Sequence, residues 1–183
     1  AGDVIASRTM TLKDDSVLLK YLNTNMCVVT TQGTLNGASA LYVTVVDTVS
    51  AKIIYRSAIE GGSGPVSTVL AENNISIFYW NTKAKRSEVS SIHLYEGMVD
   101  KHGLTPFATK QSAAVATKHK ENKVFSSYLS APPLAMQKTY VMPKGVTAAH
   151  HTVTAHGVAN KNVLVALTSG QIYMLDSRQI SPR

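Results

Sequence analysis

Ten short runs rich in Val, Ile, Thr and Tyr, at 26–31, 41–47, 51–58, 66–71, 75–80, 88–95, 139–142, 146–154, 163–168 and 172–176, are separated by turn-forming residues. This punctuation constrains the fold more than any other feature. Runs so short and closely spaced build antiparallel hairpins and leave no room for the crossover helices of a parallel sheet. The separators include Asp47-Thr48-Val49-Ser50, Gly61-Gly62-Ser63-Gly64-Pro65, Asn73-Asn74, Asn160-Lys161-Asn162 and Ser169-Gly170. Each can supply a left-handed residue or a fixed proline angle. Only 108–129 concentrates enough Ala, Lys, Gln and Glu for a helix, and its apolar residues show no sustained helical period before Val124. We read 100–137 as a basic insertion, partly helical at most, ended by Pro132-Pro133 and set between strand-rich parts at 1–99 and 138–183.

Two stretches share a plan. Leu41 to Asp47 leads through a turn into Lys52-Ile53-Ile54-Tyr55, and Val163 to Thr168 leads through Ser169-Gly170 into Ile172 to Asp176. Each is a pair of apolar strands with an Asp near a strand end, where its carboxylate can accept turn N–H groups. The pattern is that of quinoprotein-like β-propeller blades, four antiparallel strands in ~40 to 45 residues. Without the 38 residues of the insertion, 145 of 183 remain, about three and a half blades. The expected fold is all-β, a partial propeller with open edges that more chain or a partner must cover. The chain starts at Ala1-Gly2-Asp3 and stops at Ser181-Pro182-Arg183, and we read it as an internal segment of a longer protein.

With 183 residues the chain can bury roughly 70% of its unfolded surface without metal or disulfide staples. No apolar run approaches the ~20 residues of a membrane-spanning helix. The net charge of +7 is concentrated, because the window 101–144 holds seven Lys, no Arg and one acid, Glu121, for a local +6. Lys without Arg reads bases and phosphates poorly, and no RNA-binding strand motif accompanies it, so we expect a solvated loop and no nucleic-acid partner.

The side chains give little sign of chemistry. Among His93, His102, His119, His150, His151 and His156 no pair has a companion ligand set, and adjacent His150 and His151 should point to opposite faces of a strand. No metal is expected. Cys27 lies in the apolar run Met26-Cys27-Val28-Val29 and reads as a buried, inert thiol. Gly62-Ser63-Gly64 lacks the strand-to-helix frame of a hydrolase elbow. The rival from another class is a quinone-dependent oxidoreductase propeller, which needs aromatic and charged residues converging on a channel; the chain has one Trp, Trp80. Around it, Trp80 would cap a strand against the next blade and Asn81 and Thr82 would bond the turn backbone. Lys83, Lys85 and Arg86 form either a solvated loop tip or an interaction surface. Asn74-Ile75-Ser76 is a sequon, open to glycosylation only where exposed in a luminal compartment.

The string Phe78-Tyr79-Trp80-Asn81-Thr82-Lys83-Ala84-Lys85-Arg86-Ser87-Glu88, with Ile92-His93-Leu94-Tyr95-Glu96-Gly97 after it, resembles the subunit 1 family of the endoplasmic reticulum membrane protein complex. Val17 to Asn25, Gly64-Pro65-Val66, Tyr140 to Pro143, Val153 to Val158, Val163 to Leu175 and Ser181-Pro182-Arg183 fall in the family's order. The departures are Ala155-His156 in place of Glu-Arg, Ser181 in place of Asp, and a longer, more basic insertion. The resemblance implies a luminal β-propeller scaffold without cofactor or catalysis, whose full-length chain is anchored in the membrane elsewhere. It implies partners among the other subunits, client membrane proteins served indirectly, and a role in inserting the transmembrane segments of tail-anchored and multipass proteins. Trp80, Asn81, Thr82, Tyr95, Gly97, Gly170 and Asp176 would then be framework residues.

Overall fold

The computed structural model describes residues 10–11, 17–99, 125–153 and 161–183. The strands are β1 (Met10–Thr11), β2 (Val17–Lys20), β3 (Met26–Leu35), β4 (Ala38–Asp47), β5 (Ile53–Glu60), β6 (Gly62–Ala71), β7 (Asn74–Asn81), β8 (Arg86–Val99), β9 (Leu134–Val141), β10 (Val146–His151), β11 (Val163–Leu167) and β12 (Ile172–Leu175). No helix occurs among the described residues. All ten expected runs are strands, β3 to β12. Two strands are unexpected, β1 and β2, whose two and four residues are too short to show a period. The expected helical stretch lies outside the described residues up to 124, and residues 125–130 are coil and turn. β9 starts at Leu134 and so reaches back into the segment read as insertion.

Four consecutive antiparallel strands, β6-β7-β8-β9, form the central unit, a meander of blade type. On either side stand three-stranded antiparallel sheets, β3-β4-β5 and β10-β11-β12. β6, the first strand of the meander, approaches the first strands of both neighbours, β3 and β10, as inner strands do around a propeller axis. β8 is 14 residues long and serves two partners. Glu88 to Tyr95 pair with β9, and Tyr95 to Val99 with β2. Lys20 faces Tyr95 while Leu19 faces Gly97, so Glu96 is an extra residue and Gly97 belongs to a β-bulge.

Burial on both faces explains why 75–80 is apolar at every position but Ser76. Ile75, Ile77 and Tyr79 of β7 join Ile92 and Leu94 of β8 against Leu41, Val43 and Val45 of β4. On the opposite face, Phe78 and Val89 pack with Val163, Val165, Leu167 and Leu175 of the third sheet. β4, by contrast, buries alternate residues from Leu41 to Asp47, because its outer face has no sheet over it there among the described residues.

The turns are chemically specific. Asn36-Gly37 joins β3 to β4 with φ of 52° and 79°, the geometry of a type I′ hairpin. Gly170, at φ 82°, closes the β11–β12 turn. Between β6 and β7 the left-handed residue is Glu72, φ 54°, and not either Asn of the expected Asn73-Asn74 turn; Asn74 already stands in β7. The two strand-end aspartates act as expected. Asp47 Oδ1 accepts the N–H groups of Val49 and Ser50 at 2.9 and 2.8 Å, and Asp176 Oδ1 accepts that of Arg178 at 2.9 Å.

Candidate functional site

The β7–β8 hairpin has the most elaborate polar construction in the described chain. At its base the Glu88 carboxylate, 4% exposed, accepts three hydrogen bonds. Tyr79 Oη and Asn81 Nδ2 each donate to Oε2 at 2.9 Å, and Arg86 Nε donates to Oε1 at 2.7 Å. The strand period brings them together, because Tyr79 pairs with Glu88 and Asn81 with Arg86, all on one face of the sheet. Burial alone would raise the Glu88 pKa, but the bonds from Asn81, Arg86 and Tyr79 outweigh it and hold the group below the ordinary carboxylate range. Burial, and then the bond to Glu88, push the Tyr79 hydroxyl well above its usual value. An ionised Glu88 beside a neutral Tyr79 has no proton to exchange near neutrality, so the group is a brace and not an acid–base pair.

The loop above it is tied down from within. Asn81 Oδ1 accepts the backbone N–H groups of Lys83 and Ala84 at 3.0 and 2.9 Å, and both the N–H and the hydroxyl of Thr82 donate to Gly61 O at 2.8 and 3.0 Å. Gly61, at φ 78°, is required there, because a Cβ would stand 2.6 Å from Asn81 Oδ1. The three cations differ from the sequence reading, which gave them no local partner. Lys83 pairs with Glu60 at 2.8 Å and Arg86 with Glu88, while Lys85 occupies the left-handed position at φ 50°.

Trp80 is 40% exposed and overlooks a cleft of about 320 Å³ towards the third sheet. The cleft opens where β6 bulges, since Ser63 faces Trp80 and Ser67 faces Phe78, leaving three residues of β6 against Tyr79 alone. On the hairpin's other face, a second cleft of about 400 Å³ is lined by Glu60, Arg86, Glu88, Gln137 and Thr139.

The remaining framework candidates lie elsewhere. Tyr95 is fully buried, its hydroxyl 3.1 Å from His93 Nδ1. Gly97, Gly170 and Asp176 serve the bulge and turns already described. Two expectations are corrected. Cys27 is exposed, because alternation along β3 places it opposite Met26, which is buried. His150 and His151 do not diverge, for their rings stack at 4.8 Å with 12° between planes at the end of β10. Burial first, then His150 and Lys161, lower the His151 pKa. Among the described residues no three His, Cys, Asp or Glu side chains converge to hold a metal ion, and no helix is long and apolar enough to cross a membrane. Sequence reasoning missed Glu88, Tyr79 and Gly61, although strand alternation places both Tyr79 and Asn81 on one face.

Comparison with known proteins agrees with this architecture. A family model described as "ER membrane protein complex subunit 1, second beta-propeller" matches residues 1–183. Proteins named ER membrane protein complex subunit 1 are 33% identical over 187 residues in Gallus gallus and 29% over 185 residues in Xenopus laevis, each covering 100% of this chain. The namesake in Schizosaccharomyces pombe is 25% identical over 183 residues and covers 98% of it. The chain spans only 17 to 18% of the length of these relatives. With the match complete and the sheets of blade type, the chain belongs to the ER membrane protein complex subunit 1 family, in the region of its second β-propeller.

Proposed function

We propose that this chain is a non-enzymatic scaffold segment of the endoplasmic reticulum membrane protein complex, on the luminal side of the membrane. It supports insertion of the transmembrane segments of tail-anchored and multipass proteins through contacts with other subunits and serves clients indirectly. The full-length chain is anchored outside this segment. The observation that carries this reading is the match of all 183 residues to a propeller of a named complex subunit. The site chemistry supports it, since the polar groups of the hairpin are spent on holding one another. In the same reading Trp80, Asn81, Thr82, Tyr95, Gly97, Gly170 and Asp176 hold the framework, and Lys83, Lys85 and Arg86 face a partner.

The test is replacement in cells lacking the full-length subunit, with insertion of a tail-anchored reporter as the readout. A Phe78→Asp chain, with a charge placed in the second core, should lose both subunit assembly and insertion together. A single exposed polar substitution that abolishes insertion while the complex assembles normally would contradict the scaffold reading and point to a reaction centre.

A further inference from the structure

We propose that the cleft beside Trp80 is a docking groove for an acidic, extended peptide segment of a partner protein, with one apolar residue of that segment packed on the indole. This deepens the platform reading and rests on it, since a platform needs a place where partners are gripped.

Four observations converge on the cleft. The indole is 40% exposed and lines a concavity together with Pro65. Its N–H has no hydrogen-bond partner among the described residues, and a backbone carbonyl of an extended peptide would accept from it. The opposite wall is Gly145, Val146 and Thr168. At Gly145 the two walls come close, for a Cβ there would stand 3.8 Å from Ser87 Oγ of the near wall.

Two cations neighbour the lining residues along the chain. Lys85, two residues before Ser87 of the near wall, and Lys144, next to Gly145 of the far wall, are both exposed and neither has an ion pair among the described residues. The acid in the lining, Glu88, turns its carboxylate to Tyr79, Asn81 and Arg86 on the other face of the sheet. A half-exposed aromatic in a cleft whose two walls each adjoin an exposed, unpaired Lys along the chain has the composition of an interface anchor with a polar rim. At about 320 Å³ the cleft falls at the small end of ligand-sized sites, room for one side chain and its flanking backbone. A lipid surface is disfavoured by the concavity, since flat headgroup layers meet protruding aromatics.

The probe is a blocked peptide of alternating Glu and Gly with one central photoreactive leucine analogue, added to the intact full-length protein and irradiated. Adducts mapped by mass spectrometry should fall on the peptides bearing Trp80, Pro65 or Thr168. Their yield should drop by about tenfold when Lys replaces Glu in the probe, and equally with Lys85→Glu combined with Lys144→Glu, exposed changes that leave both cores intact. Raised salt should weaken labelling. Equal labelling by the Lys probe, or adducts scattered over the surface, would overturn the proposal. So would competition by phosphatidylserine vesicles but not by unlabelled peptide, which would assign the cleft to a lipid surface. Loss of labelling while the complex still assembles would leave the scaffold reading standing, so the two fail separately.

Discussion

Acid should destabilise this protein through one histidine, by an amount set by its surroundings. His93 is 1% exposed on β8, its Nδ1 3.1 Å from Tyr95 Oη. Burial, and then the nearby Arg183 and Lys20 charges, bring its pKa down to about 4. In the unfolded chain the same group titrates near ~6.5. The unfolded state therefore takes up the proton first. The stability held by the neutral ring is complete above about pH 6.5 and is lost as the pH falls towards about 4. A gap of about 2.5 pH units at ~1.36 kcal/mol each amounts to about 3.4 kcal/mol in total, of which about 2 kcal/mol is gone by pH 5. Against a domain stability of roughly 5 to 15 kcal/mol that loss is measurable. Urea unfolding at pH 7 and at pH 5 reads it directly, with His93→Gln, neutral throughout, as the comparison. The wild-type protein should lose about 2 kcal/mol more than the variant between the two conditions. Equal losses would refute the reasoning.

The hairpin brace predicts that Glu88→Ala costs about 2 to 3 kcal/mol in urea unfolding, because the Tyr79 hydroxyl and Asn81 amide lose their acceptor while the half-exposed Arg86 turns to water. A cost below about 1 kcal/mol would place it among ordinary surface changes. Gly61 and Gly170 share a positive φ but differ in space, with a Cβ 2.6 Å from Asn81 Oδ1 at the first and nothing within 4 Å at the second. Gly170→Ala should therefore cost about 1 kcal/mol and Gly61→Ala clearly more, the order being read from paired thermal melts. Asn74 stands opposite His93 with its amide oxygen buried. The peptide carrying it should show no mass change on treatment with a glycan-releasing amidase after expression in a secretory compartment.

The strand pattern is legible in the sequence because alternation and turn residues act locally. The run 75–80 declares itself by being apolar on both faces, and Ser169-Gly170 by carrying its own left-handed residue. Asn36-Gly37 is as strong a hairpin signal as any in the chain, yet the expected runs stop at Thr31 and resume at Leu41, short of the strands that meet at that turn. Glu72 cannot be read as left-handed from its type, since the tight β6–β7 pairing imposes that angle. The Cys27 reading fails because an apolar strand at the edge of a sheet has only one buried face, and local sequence does not reveal which. At the hairpin, Asn81 and Thr82 are readable as turn-binding residues, but the partners of Lys83 and Arg86 are not. Glu60 lies 23 residues from Lys83 along the chain, and its approach depends on the Gly61 turn. The clefts beside Trp80 and Arg86 are products of how sheets pack and of the β6 bulge, and neither leaves a local sequence trace.

The central claim is a rigid stack of blade-type sheets whose outer surface acts by contact. Amide hydrogen exchange on the full-length protein, alone and within the assembled complex, tests it most directly. Ile75 to Tyr79 of β7 and their β8 partners should exchange slowest and at the same rate in both states, whereas β7–β8 loop amides gain protection only on assembly. Fast exchange in β7 outside the complex, or no surface segment protected by assembly, would contradict the account.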